Sequence, residues 1–329
     1  MKRPALIALS LGLTAFIALL VYEGVGPVMN TLAAAGWGLF AVAAFHAVPL
    51  AADAAAIGAV LQRPLRAERV VRARWVGEAV NNLLPVAQMG GPLVMARLLI
   101  HAGSRPADAG AAIIVSTTLQ MLSQAVFAVI GITLLAVHSG DARLLWALAA
   151  GSLLFGASAL WFYRLQRRGG LFVRLARLIN KAASGRDWLK LAGGAEALDA
   201  EVGAAYQRPG AARKSFALNL LGWLLGTGEV WLALRFLGHP VGLADALLLE
   251  SLGQAIRGIA WAIPGALGVQ EGGYVLLCAL LGIPAPTALA LSLTKRAREL
   301  LLGIPGLIYW QYSEGRWLRR RSAVVRYSD

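Results

Sequence analysis

The chain is poor in cysteine and in charge. A single cysteine, Cys278, occurs in 329 residues, within an apolar run, so no disulfide can form inside the chain. It reads as a small buried hydrophobe rather than a reactive thiol. Only 15% of residues are charged, against 58% hydrophobic, with mean hydropathy +0.64. That balance excludes an ordinary soluble globular protein and places the chain among polytopic membrane proteins. Catalytic signals are also lacking. The four histidines, His46, His101, His138 and His239, have no other His, Cys or carboxylate at metal-ligand spacing. Neither G-x-S-x-G nor G-x-x-x-x-G-K-[ST] occurs. The expectation is a protein that is not an enzyme, holds no cofactor or metal and does not pump at the expense of ATP.

Acidic residues are scarce too, 17 against 31 Lys and Arg, for a net charge of +14. The distribution argues against nucleic acid as partner. Twenty-three of the cations fall in four segments: Lys2 and Arg3, Arg63 to Arg74, Arg164 to Lys214, and Arg316 onward. Each borders an apolar span. This is the positive-inside pattern, and it suits anionic lipid headgroups at the cytoplasmic face.

What the sequence has in abundance is apolar length. Residues 5–22, 36–61, 108–137, 143–163, 215–237 and 286–311 are each long enough to cross the hydrocarbon core. The first run follows Met1-Lys2-Arg3 like a signal peptide, but its 18 residues fit an uncleaved anchor better. No stretch looks like a separate polar domain, so 1–329 is read as one membrane domain.

Between the spans, the pattern Q-x-G-G occurs twice, 182 residues apart: Gln88-Met89-Gly90-Gly91 and Gln270-Glu271-Gly272-Gly273. Pro85 precedes the first copy, and Pro264, Gly265 and Gly268 precede the second. The flanking segments 69–84 and 88–101, and likewise 244–263 and 268–283, are short and carry Asn81, Asn82, Arg97, Glu250, Gln254 and Arg257. Each pair reads as a re-entrant hairpin (69–101 and 244–283) of two half-depth helices meeting near its proline. Such paired, Gly/Pro-interrupted segments mark the central site of transporters built on inverted repeats. The glycines have two readings: close helix packing, or unwound backbone facing substrate, which the adjacent prolines and polar residues favour.

Charge tests this topology. With both termini cytoplasmic, every basic segment lands inside, and the outer loops 23–35, 138–142 and 238–243 contain no Lys or Arg. Three spans separate the hairpins, which gives them opposite orientation. The fold class is therefore all-α: a polytopic helical bundle of about six spans plus two oppositely oriented re-entrant hairpins. Within 164–214, Leu171, Val173, Leu175, Leu178 and Ile179 mix with Arg174, Arg177 and Lys181. That is either an amphipathic helix on the membrane surface or a solvated linker. Residues 313–329 read as a basic cytoplasmic tail.

Ionised groups inside spans cost roughly 2.5–3.5 kcal/mol each at the helix centre, so they need partners or a function. The last span reads Thr294-Lys295-Arg296-Ala297-Arg298-Glu299. Lys295 and Glu299, four apart, are expected to pair. Arg296 and Arg298 then need Glu271 or Glu250. Arg97 and Arg257 occupy related places in the two hairpins. Asp53 is a lone intramembrane carboxylate that either relays protons or lines a wet crevice. The whole set is either a structural salt-bridge network or a group of transport residues.

The stretches Glu78 to Gly91 with Ala96-Arg97-Leu98-Leu99, Glu250 to Arg257 with Pro264 to Gly273, and Leu291 to Leu300 resemble the hopanoid-biosynthesis-associated, HpnL-type membrane proteins. These belong to the wider flippase-like group sharing the transmembrane domain of lysylphosphatidylglycerol synthases. The resemblance implies export of a hopanoid or related lipid from the inner membrane toward the outer membrane of a Gram-negative bacterium. The chain stops at Asp329, so the aminoacyl-transfer activity of the synthase branch is expected to be absent. It departs from the pattern at Pro92, Ser116 and Gln120, where relatives are expected to carry acidic residues. The functional expectation is a lipid transporter for a hopanoid or phospholipid. Asn81, Asn82, Gln88, Gln270 and Glu271 would hold the headgroup, and Lys295, Arg296, Arg298 and Glu299 would form a switching charge network. The alternatives are a non-transporting scaffold for lipid-synthesis enzymes and an intramembrane lipid-modifying enzyme.

Overall fold

Proline and glycine set most of the helix boundaries. The computed structural model describes residues 21–22, 25–84, 90–138, 142–182, 188–260, 263 and 266–326, and among these it is α-helical with no strand. In chain order the helices are α1 (Val25–Ala35), α2 (Gly38–Phe45), α3 (Ala47–Val60), α4 (Ala67–Leu83), α5 (Gly90–His101), α6 (Pro106–His138) and α7 (Ala142–Arg167). There follow α8 (Leu171–Ala182), α9 (Trp188–Tyr206), α10 (Pro209–Phe236), α11 (Leu243–Ile259), α12 (Val269–Leu280) and α13 (Ala285–Arg326). Pro106 and Pro209 stand at first helical positions, where a missing N–H costs nothing. Pro49 has no N–H to return to Phe45, and the expected span 36–61 divides there into α2 and α3, with His46 at the joint. Leu84 turns extended (φ −106°, ψ 142°) because Pro85 follows it, which ends α4.

Among the described residues, four helical stretches are long and apolar enough to cross a membrane: Gly38–Val60, Pro106–Ala136, Leu145–Arg167 and Pro209–Phe236. They match four of the expected spans. The expected first span lies outside the described residues except at 21–22. The last, 286–311, is part of α13, whose charged middle lowers its hydropathy. This helix does not stop at 311 but continues through the basic segment to Arg326. Pro305 within it cannot bond to Leu301, and Trp75 Nε1 donates to the next carbonyl, Leu302 O, at 2.8 Å.

Short helices occupy both segments read as hairpins. Helices α4 and α5 pack together, as do α11 and α12. One apolar cluster gathers α3, α4, α5, the first half of α6 and α9 around Val76, Leu99 and Val115. A second joins α10, α11, α12 and α13 around Leu234, Leu249 and Leu291. Meanwhile Trp146, Leu153, Leu154, Leu276 and Ile308 remain exposed. Each would cost about 1.5–3 kcal/mol relative to burial if water surrounded it. Hydrocarbon removes that cost, and the molecule is a multi-pass membrane protein.

Within 164–214, residues 171–182 and 188–206 are helical. Helix α8 leaves Leu175 and Leu178 exposed on one side beside Arg174 and Arg177. Asp199 of α9 caps its first turn, accepting from Phe172 N (3.2 Å) and Val173 N (3.0 Å). Helix α9 packs on α6, and Tyr206 Oη donates to Gln166 Oε1 at 2.7 Å. Arg208 donates to the Val60 and Leu61 carbonyls at the end of α3, at 2.7 and 3.3 Å.

Candidate functional site

An ionic chain runs through the interior, starting from the joint at His46. The break between α2 and α3 places this ring against α4, α10 and α13. Its Nδ1 lies 2.5 Å from Glu229 Oε1 of α10, and its Nε2 2.8 Å from Glu78 Oε1 of α4. From Glu78 the chain leads to Arg74 Nη1 (3.6 Å) and on to Asp53, which accepts from Arg74 Nη2 at 2.7 Å and from Gln120 at 3.3 Å. Asp53 is therefore not a lone carboxylate. Gln120 stands where an acid was expected, and as a donor it fits a neighbouring carboxylate that a second acid would repel.

In the other direction, Arg298 Nη1 donates to Glu229 Oε2 at 2.6 Å. Its Nη2 lies 3.6 Å from Glu299 Oε1. Glu299 also receives Arg257 Nη1 of α11 at 2.7 Å and Arg296 Nη1 at 3.3 Å. Arg257 Nη2 donates to Asn82 Oδ1 at 3.0 Å, tying α11 to α4. Arg296 Nη2 donates to Glu271 Oε1 at 3.2 Å, as does Ser292 Oγ at 3.0 Å. Glu271 Oε2 accepts from Gly268 N at 2.6 Å, at the start of α12. Gly268 has φ +77°, a conformation glycine adopts without strain. Alongside, Lys295 pairs with Glu250, which also accepts from Gln254 at 2.8 Å.

Among the described residues the cluster holds six carboxylates (Asp53, Glu78, Glu229, Glu250, Glu271, Glu299) against five Lys or Arg (Arg74, Arg257, Lys295, Arg296, Arg298). His46 Nδ1 also lies 2.8 Å from Arg298 Nη1, so the ring sits between two carboxylates and a guanidinium. Burial is deep: Glu271 is 0% exposed and Lys295 2%.

Several expected placements change. Lys295 and Glu299 do not pair with each other. Lys295 reaches Glu250 of α11, and Glu299 takes Arg257 of α11 together with Arg296 and Arg298 of its own helix. Glu271 does meet Arg296, whereas Glu250 does not serve the arginines. Arg97 and Arg257 are not in related environments. Arg257 belongs to the buried chain, while Arg97 is half-exposed and pairs with Glu314 at the far end of α13.

Asn81 Oδ1 accepts from Gly91 N at 2.8 Å, so it fastens α4 to α5. A Cβ on Gly91 would lie 2.4 Å from Gly77 O, and one on Gly273 would lie 2.8 Å from Ile256 Cδ1. Both glycines sit in helices at close crossings rather than in unwound backbone, and their neighbours Gly90 and Gly272 fall within the same helices. Gln270 is buried, and its Oε1 lacks a hydrogen-bond partner among the described residues. Pro85, Gln88, Pro264 and Gly265 lie outside the described residues. Sequence reasoning passed over His46, Glu78, Glu229 and Arg74. Their signal was present: ionisable side chains inside or beside apolar helices need partners.

A family model described as the lysylphosphatidylglycerol synthase TM region matches residues 6–306. No curated protein matches the chain, and no solved structure does.

Proposed function

The chain belongs to the lysylphosphatidylglycerol synthase transmembrane-region family, and from that premise we propose that it carries a lipid across or out of the bacterial inner membrane, without catalysing a reaction. A hopanoid or related lipid fits the residue patterns around Gln88 and Gln270. Direction is inner toward outer membrane, and both termini face the cytoplasm. The helix pairs α4–α5 and α11–α12 act as oppositely oriented re-entrant hairpins.

One observation carries this reading: the ionic chain ties both helix pairs to α13 and α10 through bonds that can be exchanged. A buried ion-pair network contributes little net stability, since desolvation offsets its Coulomb energy, and well-packed apolar side chains would serve a static bundle as well or better. Such a network suits a protein that alternates between arrangements of the same pairs. Gln270, with an open acceptor next to Glu271, supplies a polar group for a headgroup hydroxyl. The lipid tail stays in hydrocarbon.

Reconstitution in liposomes tests the proposal. Leaflet exchange of a labelled hopanoid or phospholipid is expected to exceed that in empty liposomes and to fall in Gln270→Leu. Exchange at the empty-liposome rate for both lipids would refute it. Mass spectrometry of lipids from cells with and without the protein separates transport from lipid modification: a changed membrane distribution supports the former, new chemical species the latter.

A further inference from the structure

A second polar site lies away from the buried chain, where the start of α4, the end of α5 and the last turns of α13 meet. These elements enclose a pocket of about 410 Å³. Arg69 and Arg72 come from α4, His101 from α5, and Tyr312, Arg316 and Trp317 from α13. Three arginines face one carboxylate in the lining, Glu68. That acid is held 3.5 Å from Arg72 on its own helix. Arg316 Nη1 reaches Tyr312 Oη at 3.3 Å, and Arg97 lies over the Trp317 ring at 5.3 Å.

His101 is the telling residue. Its side chain is 9% exposed and stacks on Trp317 at 4.4 Å, yet neither ring nitrogen has a hydrogen-bond partner among the described residues. The nearby Glu314 Oε2 is 4.0 Å from Nε2, and both carboxylate oxygens are engaged by Arg97. A buried polar group without a partner is destabilising, and an acceptor placed beside it removes that cost.

We propose that this pocket binds the phosphate of an anionic amphiphile, with the arginines and His101 donating to phosphate oxygens and the aromatic rings flanking the glycerol. Guanidinium groups match phosphate geometry bidentately. Tyrosine and tryptophan belong at the headgroup level of a bilayer, and basic pockets between helices at the positive side take anionic lipid headgroups. The charge excess selects an anionic headgroup over a zwitterionic one. The site needs no movement of lipid between leaflets, so it stands or falls separately from the transport reading.

Burial holds the His101 imidazole below its usual range, with Glu314 opposing and Arg97 adding to the effect. Arg97 shares its helix; Glu314 and Arg316 face it from α13, and Glu68, Arg69 and Arg72 from α4. A bound phosphate favours the imidazolium, so binding takes up a proton and tightens as pH falls.

The test uses the full chain in detergent micelles, titrated calorimetrically with dihexanoylphosphatidylglycerol, dihexanoylphosphatidylcholine and inorganic phosphate. The glycerol lipid is expected to bind at one site, about fivefold or more tighter than the choline lipid, and the pair R72Q/R316Q to weaken it about tenfold. Affinity should rise between about pH 8 and about pH 6, and His101→Gln should remove that rise. Competition by inorganic phosphate assigns the site to the phosphate group itself; its absence assigns it to the lipid. Folded R72Q/R316Q or Arg69→Gln protein that binds the glycerol lipid as the unaltered chain does would overturn the proposal.

Discussion

At the scale of the residue, burial and partner number decide what each ionised group is worth. Lys295 and Glu250 form a buried pair with little solvent. Removing one partner strands the other, whereas removing both leaves a neutral, packable pair of sites. Lys295→Met should therefore lower stability by about 3–5 kcal/mol, and the double variant K295M/E250Q should recover most of that loss. Thermal unfolding in detergent checks this; a double variant as unstable as the single one would mean that the two residues do not act as a pair. Glu271 is a different case, because it combines Arg296, Ser292 and the Gly268 amide. No single compensating change replaces all three, so Glu271→Gln is expected to remain destabilised even with Arg296→Met. The pairing of Glu271 with Arg296 was readable in the sequence, since both are ionisable groups in apolar surroundings and each demands a partner. The pairing of Lys295 with Glu250 was not, because a helical four-residue spacing offered a nearer candidate. Proximity along one helix is worth only a few tenths of a kcal/mol, and a fully desolvated partner outweighs it.

At the scale of the element, small residues let α4 and α13 approach. A Cβ on Gly303 would meet Leu83 Cδ1 at 2.6 Å, and one on Gly306 would meet the Ala79 Cβ at 2.8 Å. Helices in lipid gain no hydrophobic drive from association and depend on such close contact. Gly306→Leu should push the two apart and cost roughly 1–3 kcal/mol. The same change at Gly315, whose Cβ would meet nothing within 4 Å, should be nearly neutral, and the difference in melting temperature between the two variants measures the crossing. Helix ends were legible where a proline or glycine imposes them, as at Leu84 and Gly268. The division of 36–61 at His46 was not foreseen, although Pro49 carried its cause. The glycines at 91 and 273 had two readings, close packing or unwound backbone, and the close approach of Gly77 O and Ile256 Cδ1 goes with the first. A sequence shows that a position must be small, but not whether a neighbour or open space is the reason.

At the scale of the whole molecule, the basic residues and the apolar surface separate two functional readings. Helix α8 shows Leu175 and Leu178 beside Arg174 and Arg177, an arrangement suited to an anionic membrane surface. Reversing both charges to Glu should weaken binding of a peptide spanning 164–182 to anionic vesicles several-fold. Leaflet exchange by the full chain carrying the same change should persist if the buried ionic chain does the transporting. Exchange at the empty-liposome rate by the unaltered chain, with vesicle binding lost on charge reversal, would favour the scaffold instead.

Membrane insertion, the long apolar helices and the two short polar helix pairs follow from the sequence alone, because hydropathy and proline act locally and sum over neighbouring residues. So does the need for ionic partners within the bilayer. Which partner each charge takes, the central place of His46 and the pocket around His101 depend on helices far apart in the chain meeting at particular crossings. His46 and Arg298 stand 252 positions apart, and the chain between them carries no local signal of that contact, since packing alone determines which side chains share a desolvated interior.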